Sequence, residues 1–459
     1  MADLKLPLEV IILAAGKGTR MRSDLPKALH TIGGKPILAH VLDTAHSLSA
    51  ARVHVVYGHG GERVQELIND TSIVWVLQKA QHGTGHAVMQ AMPAVDDDAT
   101  VLVLYGDVPL IRQQTLQSMV TAANKGALVL LTVELKDAGV YGRIVRDVDR
   151  NLQKIVEGKD ASENELAIKE INTGFLAAPA GLLRQWLRRV SNDNAQGEYY
   201  LTDIVEIAVG DGHSVVTQNP DTVIEIEGVN SKIELAHMER KYQRQKAEAL
   251  MEAGVTLRDP ARFDLRGNLS TGRDVTIDIN VIIEGEVELG NGVRIGPNTI
   301  LCNVKIGDGT EVLANCVIED SSIGAGCRIG PFARLRPGAS IANNVHIGNF
   351  VEIKNSNVGE SSKINHLTYV GDSDVGSDVN IGAGVITANY DGANKNRTTI
   401  ENNASVGANS VMVAPVSIGK GATLGAGTIL RKDAPADELT LTRSQQRSVK
   451  GWKRPVKKK

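Results

Sequence analysis

From about residue 275 an aliphatic residue recurs every six positions, often followed by glycine. One run is Ile277, Ile283, Leu289, Ile295 and Leu301. After a slip the period resumes at Ile323, Ile329, Leu335, Ile341, Ile347 and Ile353, and after further slips at Val406, Met412, Ile418, Leu424 and Leu430. A period of six fits neither an amphipathic helix nor an alternating strand. It fits a parallel β-helix in which each hexapeptide is one short strand and one turn, with the aliphatic residue inside and a small residue easing the turn. Three hexapeptides close one triangular coil, which buries its interior only by stacking on the next. An array of about nine or ten coils is expected. The aromatic content of 3% agrees with a narrow interior suited to Ile, Val and Leu.

Two irregularities argue that the array is more than a scaffold or an oligomerisation device. The insertion NYDGANKNRTT, residues 389–399, breaks the period and must leave the coil as a loop, and loops on rigid scaffolds are where function concentrates. Arg336, Lys354, His366 and Tyr369 add polar groups with catalytic potential. The three cysteines, Cys302, Cys316 and Cys327, are odd in number and form no CxxC pair, against both a disulfide framework and a zinc site. All three read as small core residues.

A chain of 459 residues is too long for one hydrophobic core. Its net charge of -3 gives no general attraction to nucleic acid or membranes. No segment is long and apolar enough to span a bilayer. The apolar run from Leu8 to Ala15 leads into GKGTR rather than a cleavage site, so it reads as a buried strand of a cytoplasmic protein. The basic end, Lys450 to Lys459, is either a solvated tail or a holder of anionic cofactors.

Residues 1–228 alternate apolar runs with helical stretches. Strands are expected at 8–13, 53–57, 73–77, 101–105 and 127–133, and helices at 115–123 and 182–190, the pattern of an α/β sheet covered on both faces. Ligands of such sheets bind beyond the carboxyl ends of the strands. There the first strand enters LAAGKGTRM, where Gly16 and Gly18 let backbone N–H groups approach a phosphate chain and Lys17, Arg20 and Lys27 add charge. The spacing is neither a Walker loop nor a dinucleotide fingerprint. VLVLYGDVPL ends a second strand in Asp107, a carboxylate placed to hold Mg²⁺. Further polar clusters, at strand ends or loops, are Gln78, residues 81–86, residues 140–143, Glu157 and residues 170–174. The chemistry implied is nucleotidyl transfer, with Arg20 and Lys27 stabilising a triphosphate.

Between the halves, Ser231 and Glu234 form a capping-box signature for a connecting helix that stops at Gly254. The expected division is 1–228, a helical linker 229–253, and 254–459.

LAAGKGTRM, SDLPKAL, YGDVPL, GEYYLTD, EGVN and LRDPARFDLRG, with IGPFARLRPGA, GNFVEIKN, NHLTYVGD, NIGAGVITANYDGANK and GWKRPVKKK, make nearly the whole chain resemble the bacterial bifunctional N-acetylglucosamine-1-phosphate uridyltransferase/glucosamine-1-phosphate acetyltransferases. The resemblance implies a Rossmann-like nucleotidyltransferase domain, a connecting helix and a left-handed parallel β-helix acetyltransferase. It implies acetylation of glucosamine-1-phosphate from acetyl-CoA, then reaction with UTP and Mg²⁺ to give UDP-N-acetylglucosamine for peptidoglycan and lipopolysaccharide. It also implies a homotrimer with acetyltransferase sites where β-helices meet. Leu13, Ala14, Ala15, Gly16, Lys27, Gln78, Gly83, Thr84, Tyr105, Gly106 and Asp107 match the family's nucleotide-sugar contacts, as do Gly142, Glu157, Asn172 and Asn230. Asp107 and Asn230 match its magnesium ligands. Arg336, Lys354, Tyr369 and Asn380 match the amino-sugar phosphate site, and Ala383, Asn389, Tyr390, Ala408, Ala426 and Arg443 the coenzyme A site. Ala408 stands where the family often has Ser, and Val140 where Gly is frequent. His366 matches the catalytic base: an amine attacking a thioester must lose a proton, and imidazole is the natural acceptor.

Overall fold

The computed structural model of the chain describes residues 6–58, 60–442 and 446–457. It divides into two compact units between Tyr242 and Gln243, inside the helix Lys232–Glu252. That helix serves both units. Its first half packs Met238 and Leu235 against Ile32, Ile37 and Val229. Its second half sends Ala247 and Leu250 into the core of the C-terminal unit. There Gln243 also bonds both ways with the Leu265 backbone, at 2.9 and 2.7 Å. The Ser231 hydroxyl accepts from Glu234 N–H at 3.2 Å, as the capping signature requires, but the Glu234 carboxylate takes the Asn230 N–H rather than that of Ser231.

In the N-terminal unit the strands run in the order Val215–Gln218, Leu128–Glu134, Glu170–Pro179, Thr100–Tyr105, Leu8–Ala14, Arg52–Tyr57 and Ile73–Leu77. All pairs are parallel except those made by Glu170–Pro179, which runs against both neighbours. After Glu9, which pairs with His54 at 2.7 Å, the strand Leu8–Ala14 shows why the rest of its sequence is a continuous apolar run. Val10 and Ile12 enter the core on one face, Ile11 and Leu13 that on the other, so neither face meets water. The five strands expected from the sequence are all present. Residues 170–174, expected at a strand end or in a loop, instead open the ten-residue strand Glu170–Pro179, with a register shift between Asn172 and Leu176.

The C-terminal unit is a parallel β-helix. Among the described residues one face is a ladder of eleven two- to four-residue strands, from Thr256–Leu257 to Leu439–Thr440. The ladder exceeds nine or ten rungs because its terminal rungs lack the regular aliphatic phase, as end repeats commonly do. Every aliphatic residue of the three periodic runs is buried. The slips are coil sides of five residues: Leu301 to Ile306 and Ile318 to Ile323 each replace a six-residue step, and stacked partners shift from Phe263↔Val281 to Ile300↔Val317. The insertion leaves the stack after Ala388, but Thr398 and Thr399 belong to the strand Thr398–Ile400, which pairs with Ser373–Val375. The projecting loop is therefore 389–397. Cys316 and Cys327 are buried, and burial pushes the Cys316 thiol up to about 11. Cys302 departs from expectation and is only half-buried, because its neighbour Leu301 takes the inward position.

Candidate functional sites

At the carboxyl ends of the central strands lies a cavity of about 440 Å³, a volume typical of small-molecule sites. Leu13, Ala14, Ala15, Gly16, Lys27, Gln78, Gly83, Thr84, Tyr105, Gly106 and Asp107 all line it, and Lys17, Gln81 and Glu198 join them. Its geometry depends on glycines. A Cβ on Gly18, whose φ is +60°, would stand 2.9 Å from Lys27 Cβ, so glycine lets the loop close on that lysine. A Cβ on Gly83 would meet the Tyr199 carbonyl oxygen at 2.6 Å.

The Lys27 ammonium bridges two acceptors. It pairs with the Asp107 carboxylate and donates to Asn230 Oδ1 at 2.8 Å. A carboxylate and an amide oxygen thus converge on one cation, which is the donor chemistry Mg²⁺ takes when substrate phosphates complete its octahedron. Among the described residues no group of three or more His, Cys, Asp or Glu side chains could hold a metal by itself.

Gly142, Glu157 and Asn172 gather beside this cavity. Asn172 N–H donates to the Gly142 carbonyl at 2.9 Å, and a Cβ on Gly142 would lie 3.6 Å from the Glu157 carboxyl. Glu157 accepts from Thr202 Oγ1 at 2.9 Å, while burial raises its pKa. Arg20 lies on the turn Thr19–Met21 with its side chain exposed, outside the cavity lining.

On the β-helix, Arg336, Lys354 and Tyr369 occur on successive coils. The register aligns Leu335 with Ile353 and Glu352 with Tyr369. Arg336 donates to Glu352 at 2.8 Å. Lys354 meets Lys395 from the projecting loop, and that contact, then the charge of Lys395, lowers the Lys354 pKa. Burial works against the Asp372 carboxylate, yet hydrogen bonds from Asn355 and Asn389 and the charges of Lys395 and Lys354 carry its pKa below the ordinary value. Asn389 also reaches the Tyr369 hydroxyl at 3.4 Å. Sequence reading missed Lys395 and Asp372. The signal was there in the basic residues of the insertion, but only the fold brings the loop back over Lys354.

His366 is exposed, and its Nδ1 lies 2.9 Å from Asn349 Oδ1 one coil away. Asn380 is on the same eleven-strand face as His366, whereas Lys354 and Tyr369 belong to the other sheet. Ala383, Ala408 and Ala426 stack on successive coils, where Asn409 N–H donates to the Ala383 carbonyl and Gly427 N–H to that of Ala408. Tyr390 is exposed on the loop. Arg443 and the last two tail residues, Lys458 and Lys459, lie outside the described residues.

One corner of the β-helix beside His366 is unusual. Where earlier coils place Asn280, Asn298 and Asn315 in the left-handed region, later ones place Phe332, Phe350 and Leu367, at φ 56°, 55° and 49°. The two phenyl rings stack 5.3 Å apart, and all three side chains are exposed. Bulky residues pay strain for that backbone, which persists where function holds it.

Residues 10–167 match the MobA-like NTP transferase domain, 320–355 the six-repeat bacterial transferase hexapeptide, and 397–432 the hexapeptide repeat of succinyl-transferase. The architecture is a Rossmann-like nucleotidyltransferase domain followed by a left-handed parallel β-helix of hexapeptide repeats. Among solved structures, UDP-glucose pyrophosphorylase complexed with UDP-glucose aligns with 52% of this chain and all of its own, at 15% identity and a TM-score of 0.45. The bifunctional protein GlmU of Azoarcus sp. is 56% identical over 98% of this chain and 100% of its own, and that of Ralstonia nicotianae 56% over 98% and 99%. GlmU of Methylococcus capsulatus is 54% identical over 98% of both chains. With the full length of these relatives matched, the chain belongs to the family of bifunctional GlmU proteins.

Proposed function

We propose that the two units carry the two steps of UDP-N-acetylglucosamine synthesis at the sites described. The chain is a bifunctional enzyme that acetylates glucosamine-1-phosphate and then transfers UMP from UTP to the N-acetylated product. The observation that carries the residue assignment is that one chain holds both a small-molecule cavity at Lys27 and Asp107 and, on its β-helix, an exposed imidazole oriented by Asn349.

In the C-terminal unit, Arg336, Lys354 and Tyr369 hold the sugar phosphate, with Asn380 on the amino sugar. Asn349 accepts the Nδ1 proton of His366, so Nε2 presents its lone pair to the substrate amine. The amine nitrogen attacks the thioester carbonyl carbon, its proton passes to Nε2, and coenzyme A leaves as the thiolate. The stacked alanines 383, 408 and 426 leave a groove for the coenzyme, with Asn389 and Tyr390 beside it.

In the N-terminal unit a phosphate oxygen of N-acetylglucosamine-1-phosphate attacks the α-phosphorus of UTP, and pyrophosphate leaves. Gly16 and its loop approach the phosphates, Gln78, Gly83 and Thr84 face the base, and Glu157, Asn172 and Gly142 face the sugar. Arg20 acts on the triphosphate only once its exposed side chain turns inward. Mg²⁺ held by Asp107 and Asn230 would supply charge neutralisation on the phosphates. Lys27, released from both, then pairs with the triphosphate.

The working form is a cytoplasmic homotrimer serving cell-wall and lipopolysaccharide precursors. Supporting the trimer are the exposed Phe332, Phe350 and Leu367 ridge and the distribution of Asn380 and Tyr369 over different sheets. No helix among the described residues is long and apolar enough to cross a membrane. Sedimentation analysis tests the assembly: a single species of three chains is expected, and a monomer active in acetyl transfer would refute shared sites.

A further inference from the structure

Gln78, buried at the end of the strand Ile73–Leu77, holds its amide in one orientation. Its Nε2 lies 3.2 Å from the Gly83 carbonyl oxygen and 2.9 Å from His86 Nδ1. A carbonyl oxygen can only accept, so the atom facing it must be the NH₂ group. Its second hydrogen points at His86, whose Nδ1 must then accept. That fixes the His86 proton on Nε2 and requires a neutral ring, and the Gln90 amide, whose Nε2 stands 3.3 Å from His86 Nε2, must then turn its oxygen toward that N–H. Burial, followed by the nearby His82, lowers the His86 pKa and keeps the ring neutral. With both amide hydrogens engaged, Oε1 is the polar atom that Gln78 has left for a ligand in the cavity it lines.

We infer that His86 is a positioning residue for base selection: through its hydrogen bond to Gln78 it turns the Gln78 carbonyl oxygen toward the base, so that the site takes a pyrimidine with a ring N–H donor. Uracil carries that donor at N3. Cytosine carries a lone pair there, and two acceptors would face each other at a buried site. Without the acceptor at Nδ1 the amide loses one of the two bonds that hold it and can rotate to offer its NH₂ group to cytosine. The inference rests on the nucleotidyl-transfer reading of this cavity.

The test is kcat/KM for UTP and for CTP, with N-acetylglucosamine-1-phosphate and Mg²⁺, in the wild type, His86→Ala and His86→Asn. The Asn Oδ1 stands near the place of Nδ1 and can only accept. The UTP-over-CTP ratio should fall about tenfold or more in His86→Ala and stay within about threefold of wild type in His86→Asn. Acetyl transfer by the same preparations reports that the chains are folded. An unchanged ratio in His86→Ala, or equal loss for both nucleotides, overturns the inference. Should His86→Ala turn over neither nucleotide, the asparagine variant decides: a preserved ratio supports the positioning role and a collapsed one refutes it. Failure of the wild type to use UTP would instead refute the functional reading, and the inference with it.

Discussion

His366 and Asn349 are stacked one coil apart, with the imidazole Nδ1 2.9 Å from the Asn349 Oδ1. An amide oxygen only accepts, so Nδ1 carries the proton and Nε2 is free to take one. Asn349→Ala should lower kcat of acetyl transfer about tenfold or more, since a misaligned base loses much of its usual contribution. Asn349→Asp, which keeps an acceptor, should retain most of it, and neither should change uridylyl transfer. Steady-state release of coenzyme A reads the effect.

Asn230 shares the Lys27 ammonium with Asp107. If the two oxygens also hold Mg²⁺, Asn230→Ala should raise the Mg²⁺ concentration for half-maximal uridylyl transfer about tenfold. EDTA should stop that reaction and leave acetyl transfer untouched. Parallel titrations of the two activities check both.

Asp203, in the first turn of the helix Asp203–Gly210, has its pKa raised from 3.8 to about 6 by burial and then by Glu157, Glu206 and Asp160. The folded state therefore favours the neutral acid. Its contribution is fully present below pH 3.8 and lost as pH rises through about 6. Asp203→Asn should melt above the wild type at pH 7 to 8, with the gap closing as pH falls through about 6. Thermal melts across that range measure it.

Ile353 is fully buried in the β-helix interior, stacked between Leu335 and Val370. Ile353→Ala should cost about 2–5 kcal/mol, because the neighbouring coils cannot collapse into the space. Urea unfolding followed by acetyl transfer reports the loss.

Much of this was legible in the sequence for a local reason. The β-helix repeats one demand, an inward aliphatic every six residues, so Ile277 and Leu424 announce their places without reference to distant residues. Residues 10–14 are similarly self-declaring, being apolar on both faces. The strand Glu170–Pro179 was hidden because its first five residues, EINTG, carry polar groups for the site, and its pairing with Leu128–Glu134 and Thr100–Tyr105 is long-range. Lys395 escaped for the same reason: nothing near it in the chain reveals that it ends against Lys354. Cys302 was misplaced by one residue of phase, which in a strand exchanges inside for outside.

The most direct measurement runs both reactions on His366→Ala and Asp107→Ala beside the wild type. His366→Ala should lose acetyl transfer to glucosamine-1-phosphate and form UDP-N-acetylglucosamine from UTP at near the wild-type rate, with Asp107→Ala behaving the opposite way. Full acetyl transfer by folded His366→Ala, or loss of both reactions in either folded variant, would contradict two separate sites with these residues at their centres.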